Sequence, residues 1–237
     1  MTNTQNKRIL ITGGGSGIGL ATTRLLLSQG ASVAVLEKSG ENAEALLKEL
    51  GCSRLVLKTG DVSSEADIAE IFAAAAEAFG GLDVLINNAG IGIPTPDLAE
   101  TDLKTFELMM AVNARGVFLA NREALRLMKP AGAGHIITLI SMAGQRTNAG
   151  APLYCASKFA ARGLSGGLGD QVLKYGIKVT DINPGPVDSN YWGDRKVARE
   201  KFLKPEDVAD VIAFAVNAPA HVVIREVNFD SVAYLAG

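Results

Sequence analysis

Short runs rich in β-branched residues alternate with Ala/Leu-rich amphipathic segments along this chain, and few folds bury both kinds of surface. The runs are Arg8–Thr12, Ser32–Leu36, Arg54–Lys58, Asp83–Ile86, His135–Ile140, Lys178–Ile182 and Val222–Asn228. The helical segments between them are Ile18–Gln29, Glu41–Leu50, Glu65–Phe79, Lys104–Lys129, Tyr154–Tyr175 and Pro205–Val216. Ile9-Leu10-Ile11 and Ile136-Ile137 are apolar at consecutive positions, so both faces of these strands must be covered. The alternation predicts an α/β architecture: one doubly wound, seven-stranded parallel sheet flanked by helices on both faces. No linker or low-complexity tract interrupts the pattern, so residues 1–237 read as a single domain. Ligands of such sheets bind beyond the carboxyl ends of the strands.

Composition narrows the function classes. The formal net charge is −2, from 23 basic and 25 acidic residues, with no Lys/Arg block to attract nucleic acid. No apolar run is long enough to span a membrane, and polar Met1–Lys7 lacks the apolar core of a secretory leader. The 2 cysteines, Cys52 and Cys155, form no C-x-x-C or Cys/His cluster, so no metal site is expected and a reducing cytoplasmic setting follows. His135 and His221 have no partner spacing of a catalytic triad.

The first run leads into T-G-G-G-S-G-I-G, Thr12 to Gly19, and a helix follows. Glycines let a backbone turn sharply and approach a pyrophosphate, while a helix N-terminus presents free N–H groups. Gly13, Ser16, Gly17, Ile18 and Gly19 are therefore candidate dinucleotide contacts. Glu37, at the end of the second run, is placed to accept hydrogen bonds from the adenosine ribose and to repel a 2′-phosphate, which favours NAD. Lys38 follows at once and suits the phosphate of NADP, so both nucleotides stay open, with NAD preferred. Asp61-Val62 offers a carboxylate and an amide near the adenine.

Tyr154 and Lys158 have the Y-x-x-x-K spacing that puts two side chains on one helix face. Ionising a phenol near neutrality takes roughly 4 kcal/mol of differential stabilisation, which a neighbouring ammonium helps to supply. Ser141 lies at the carboxyl end of an apolar run, where a hydroxyl faces the ligand crevice. Asn113 interrupts the apolar stretch Met109-Met110-Ala111-Val112 and marks a helix distortion or a water site.

The chain resembles the classical short-chain dehydrogenases/reductases over nearly its whole length. The matching features are T-G-G-G-S-G-I-G, Asp61-Val62, N-N-A-G at Asn87–Gly90, Asn113, Ser141, Y-C-A-S-K at Tyr154–Lys158 and P-G-P-V at Pro184–Val187. The resemblance implies a Rossmann-like fold and a hydride transfer between NAD(H) or NADP(H) and a secondary alcohol or carbonyl. It implies that Tyr154 is the general acid/base, that Lys158 binds the nicotinamide ribose and lowers the Tyr154 pKa, and that Ser141 orients the substrate oxygen. Asn113 would support a water relay from Lys158. Asn87, Ala89 and Gly90 would lie near the cofactor, and Pro184, Gly185, Val187 and Ser189 would contact the nicotinamide.

Two features depart from the family pattern. The C-terminal stretch N-F-D-S-V-A-Y-L-A-G lacks the family's D-G-G, and the substrate loop, residues 189–205, is short. Candidate substrate contacts are Met142, Gln145, Tyr191 and Trp192, the last two read equally as caps or packing anchors. Gly163, Gly166, Gly167 and Gly169 suggest close helix approach between copies, hence a homo-oligomer, dimer or tetramer. Of the competing readings, a catalytically silent NAD(P) redox sensor has no need for Asn113, Ser141, Tyr154 and Lys158 together. A hydrolase would need a nucleophile elbow and a catalytic histidine, and neither is apparent.

Overall fold

The computed structural model describes residues 4–236, so Met1 to Asn3 of the polar N-terminal segment and Gly237 lie outside the described residues. The strands are β1 (Arg8–Thr12), β2 (Ser32–Glu37), β3 (Leu55–Thr59), β4 (Val84–Asn87), β5 (Gly134–Leu139), β6 (Ile177–Pro184) and β7 (Glu226–Phe229). They form one parallel sheet in the order β3-β2-β1-β4-β5-β6-β7. The helices are α1 (Gly17–Ser28), α2 (Gly40–Leu50), α3 (Glu65–Phe79), α4 (Leu103–Met110), α5 (Gly116–Ala131), α6 (Pro152–Val172), α7 (Pro205–Asn217) and α8 (Val232–Leu235).

The doubly apolar strands split their side chains between two cores. Ile9 and Ile11 of β1 join Val33, Val35, Ile86 and Ile137 under α1 and α7, while Leu10 joins Ala34, Leu85 and Ile136 under α3 and α5. Full burial of each such aliphatic side chain contributes about 1.5–3 kcal/mol. Ser39, Ser64 and Asp102 cap α2, α3 and α4 by accepting from backbone N–H groups. Among the described residues no helix is long and apolar enough to cross a membrane.

Two expected elements differ. The single helix expected over Lys104–Lys129 is interrupted by a π-helical turn at Ala111–Arg115, which separates α4 from α5 at Asn113. The strand expected over Val222–Asn228 forms only from Glu226. His221 to Arg225 run as irregular chain, and Val222 N bonds back to Pro219 O in a turn.

β1 and β4 are adjacent although β2 and β3 intervene in sequence, so the connections diverge there and open a crevice at the carboxyl ends. Asn88 closes the floor of this crevice: its side-chain amide donates to the carbonyls of Thr12 and Gly13, both at 2.9 Å. Thr12 Oγ1 in turn accepts from the backbone N–H groups of Asn88 and Ala89, each at 3.1 Å. Gly13, at φ +66°, takes up the turn that follows β1.

Gly19 lies where α1 meets this turn, and a Cβ there would stand 2.0 Å from the Gly13 carbonyl oxygen and 2.5 Å from Asn88 Nδ2. Gly19→Ala should therefore cost about 1–3 kcal/mol through forced backbone displacement. Urea denaturation checks this, and unchanged stability would show that the turn yields freely.

Candidate active site

A single cleft of about 1270 Å³ runs along the carboxyl ends of the central strands. Gly13, Ser16, Gly17 and Ile18 form one wall, with Gly17 at φ +48° as the chain enters α1. Ser16 occupies the N-cap position but makes no side-chain cap bond, so the first N–H groups of α1 remain available at the cleft. A glycine-rich turn feeding an uncapped helix N-terminus fits a pyrophosphate.

Glu37 leaves the end of β2, is 5% exposed and lines the same wall. Its Oε2 accepts from Gly15 N at 2.9 Å and its Oε1 from Ser39 N at 3.1 Å, which fixes the carboxylate against the glycine turn. Lys38 donates to Asp61 Oδ2 at 2.7 Å, so the cation beside Glu37 is already paired. The Asp61 carboxyl lies below its usual range: burial opposes ionisation, but hydrogen bonds from Lys38 and Ser63 outweigh it. Val62 lines the cleft beside it.

At the other end, Tyr154 and Lys158 project from the first turns of α6. Lys158 is 5% exposed, and its Nζ donates to Leu139 O, the last residue of β5, at 2.8 Å. Burial lowers its pKa to about 8, the cost of holding an ammonium with this one hydrogen-bond acceptor among the described residues. The ammonium stands 5.9 Å from the Tyr154 ring centroid. Ser141 and Tyr191 are the side chains that act on the Tyr154 hydroxyl, and the Tyr191 ring lies 5.4 Å from the Tyr154 ring. Burial pushes this phenol well above the usual 10.0, Tyr191 raises it further, and the Ser141 contact pulls the other way.

Ser141 follows β5 and carries φ +132°, a region that non-glycine residues rarely enter. It caps the short 3₁₀ turn Met142–Gly144, its Oγ accepting from Ala143 N at 3.1 Å. Asn113 sits on the π-helical turn. Its Oδ1 accepts from Ile91 N at 2.8 Å, and its Nδ2 donates to Ile91 O at 2.8 Å and Ser157 Oγ at 2.9 Å. Gly90 separates Asn113 from Lys158: a Cβ there would be 3.4 Å from both Asn113 Oδ1 and Lys158 Nζ. The wider turn thus aims the amide inward, towards the ammonium, rather than along a helix surface.

Ala89, Gly90, Pro184, Gly185, Val187, Ser189, Met142, Tyr191 and Trp192 all line the cleft. Four other predicted residues do not: Asn113 stands behind Gly90 on the π-helical turn, and the other three lie elsewhere. Asn87 is buried behind the sheet, where its amide donates to Asn121 Oδ1 at 2.7 Å; the neighbouring Asn88, not singled out from the sequence, reaches the cleft instead. Gly19 serves the packing of α1 on the turn and is not part of the cleft surface. Gln145 turns to the sheet edge and donates to Glu226 Oε2 and Asn228 Oδ1.

Tyr191 and Trp192 occupy different roles. The Tyr191 ring lies 5.4 Å from the Tyr154 ring and covers Gly92 so closely that a Cβ there would meet its hydroxyl. Trp192 is tied down, its Nε1 donating to Val187 O at 2.8 Å and its ring 5.0 Å from Phe202. Arg146 and Arg195, also missed in the sequence, line this end of the cleft. No group of His, Cys, Asp and Glu among the described residues has the geometry of a metal site.

Fold and cleft place the chain among the nicotinamide-dinucleotide oxidoreductases. A family model described as short chain dehydrogenase matches residues 7–200, and the chain belongs to that family. An uncharacterized oxidoreductase of Staphylococcus aureus (strain USA300) is 30% identical over 228 residues, covering 96% of this chain and 98% of the relative. A 3-ketoacyl-(acyl-carrier-protein) reductase from Brucella melitensis, complexed with NADH, is a similar solved structure with TM-score 0.88 and 28% identity, covering 95% of this chain and 98% of that one. A closed form of serine dehydrogenase complexed with NADP+ has TM-score 0.86 and 28% identity, covering 94% of each chain.

The burial that raises Tyr154 and lowers Lys158 predicts a neutral phenol throughout the physiological range in the free protein. An ultraviolet difference titration of the wild type against Tyr154→Phe should show no Tyr154 phenolate below about pH 10. A phenolate signal near neutrality in nucleotide-free protein would mean that the ammonium alone suffices.

Proposed function

We propose that the protein interconverts a secondary alcohol and its carbonyl with NAD(H), Tyr154 acting as the general acid/base. The observation that carries this reading is the convergence of Tyr154, Ser141 and Lys158 at one end of a cleft whose other end is a glycine-lined helix N-terminus. A bound nicotinamide supplies or accepts the hydride at the carbon. In the reducing direction Tyr154 donates its proton to the substrate oxygen, and Ser141 donates a hydrogen bond that holds this oxygen in reach. Lys158 keeps positive charge beside the phenol while that proton is absent, and the polar group of Asn113 links the buried ammonium towards solvent. Pro184, Gly185, Val187 and Ser189 form the wall for the nicotinamide.

NAD is favoured because the Glu37 carboxylate is held against the glycine turn, where a 2′-phosphate would meet it, and because Lys38 is engaged by Asp61. The partner is a small-molecule alcohol or carbonyl, not nucleic acid or a membrane. The working form is a homo-oligomer, a dimer or a tetramer. Support comes from α6, where Gly163, Gly166 and Gly167 leave an open face, and from Phe118 and Phe159, both more than two-fifths exposed.

Tyr154→Phe should bind NADH with unchanged affinity by fluorescence titration while turnover falls by about 10²–10⁴. Near wild-type turnover would remove Tyr154 from the mechanism. Glu37→Ala should lower the NAD to NADP ratio of kcat/KM by about tenfold or more, the scale of one charge-assisted contact. An unaltered ratio would show that another group selects the nucleotide.

A further inference from the structure

Charge is segregated along the cleft. Its two carboxylates, Glu37 and Asp61, both lie at the glycine-turn end, where hydrogen bonds and Lys38 engage them. At the Tyr154 end the charged lining residues are Lys158, Arg146 and Arg195, and among the described residues no carboxylate lines the cleft there. Arg146 Nη2 stands 3.9 Å from Asp230 Oδ2, too long for a hydrogen bond.

Arg195 is the better-built group. Its Nε donates to Trp192 O at 2.8 Å and its Nη2 to Tyr191 O, which fixes the guanidinium plane. The cation lies 4.8 Å from the Tyr191 ring centroid and 4.9 Å from that of Trp192, in a notch between two rings set at 84°. It has no ion-pair partner, and its Nη1 has no hydrogen-bond partner, among the described residues. An arginine needed only to brace the loop would use the two donors already engaged; here the other edge is left open in a cleft walled by aromatic rings. Tyr191 connects this cation to the reacting centre: its ring lies 5.4 Å from that of Tyr154, and Arg195, 4.8 Å from the Tyr191 ring centroid, lowers the Tyr191 pKa against the upward push of burial.

We infer that the alcohol accepted at this site is a hydroxy acid, its carboxylate held by the open edge of Arg195 and the Tyr191 hydroxyl. The inference rests on the reading of Tyr154 as the group that meets the reacting oxygen. One guanidinium edge and one hydroxyl match the two oxygens of a carboxylate, whereas a phosphate dianion would leave charge and an oxygen unpartnered. Because Tyr191 touches both Tyr154 and Arg195, the carboxylate stands only a few bonds from the carbinol carbon. Oxidation then removes a hydride from that carbon to the nicotinamide and the hydroxyl proton to Tyr154, leaving an oxo acid, reduced nucleotide and one proton.

The test compares lactate, 3-hydroxybutyrate and mandelate with their methyl esters, using the wild type and saturating NAD+. At least one acid should exceed its ester in kcat/KM by about 10–100-fold, chiefly through KM, as one charge-assisted hydrogen-bonded pair provides. Arg195→Gln should collapse that ratio and Arg195→Lys should keep part of it, with ester turnover in the same variants reporting whether the loop still forms. Equal or better use of every ester by the wild type overturns the proposal. So does a raised KM for NAD+ in Arg195→Gln with the acid/ester ratio intact, which would assign the cation to the nucleotide. If none of these compounds turns over, calorimetric titration of the NAD+-loaded protein with the same acids decides, and absence of carboxylate-dependent binding overturns the proposal. Turnover of uncharged alcohols that Tyr154→Phe abolishes, with no preference for acids, sinks this inference alone and leaves the hydride-transfer reading standing.

Discussion

A parallel sheet covered on both faces admits little polarity along its strands, so polar function is driven to their ends. In this chain β1, β4, β5 and β6 are almost wholly buried, and the groups with chemistry gather within a few residues of where they stop. Thr12, Asn88, Ser141 and the Pro184-Gly185 turn each follow or end a strand. The bonds from Asn88 to the Thr12 and Gly13 carbonyls join two such ends across the switch point. They keep the glycine turn and the Gly90 backbone in fixed relation, and every later contact in the cleft is measured from that junction.

Burial sets the electrostatics of the reacting end. It favours the neutral form of both groups there, raising the phenol of Tyr154 and lowering the ammonium of Lys158. The two shifts act in opposition to the phenolate–ammonium pair that alcohol oxidation uses. The bond from Lys158 to the Leu139 carbonyl recovers part of the desolvation cost of the ammonium but none of that of the phenolate. Added positive charge in the cleft is what moves the balance.

The sequence made the sheet legible because doubly apolar runs leave one arrangement that covers both faces. Side-chain parity was harder. Asn87 and Asn88 are adjacent and identical, yet the first ends β4 facing α5 and the second leaves the strand towards β1, so a one-residue difference decides which reaches the cleft. Gln145 comes four residues after Ser141, and the 3₁₀ turn at Met142–Gly144 between them swings it to the sheet edge. The unfavourable position of Asn113 did register as a helix irregularity; that the irregularity is a π-helical turn aiming the amide at Ile91 and Ser157 depends on contacts distant in sequence. Arg195 follows Tyr191 and Trp192 closely in sequence, but that its guanidinium lodges between their rings depends on how the short turn at Asn190–Trp192 folds.

Departures from regular geometry concentrate at this same end of the molecule. Ser141 holds a positive φ, and α4 and α5 are joined through a π-helical turn. Each is a local cost, of order 1–3 kcal/mol for a residue held as Ser141 is, and each persists because the packed elements around it hold it: buried β5 runs into Ser141, and Ile91 and Ser157 bond Asn113 on the π-helical turn. The two departures secure a geometry in which Ser141 acts on the Tyr154 hydroxyl and the Asn113 amide reaches over Gly90 towards Lys158. Rigidity in the sheet is therefore the condition for strain in the site, because the same two strained positions in a loosely packed scaffold would revert to ordinary helix and turn, and the phenol, hydroxyl and ammonium would separate.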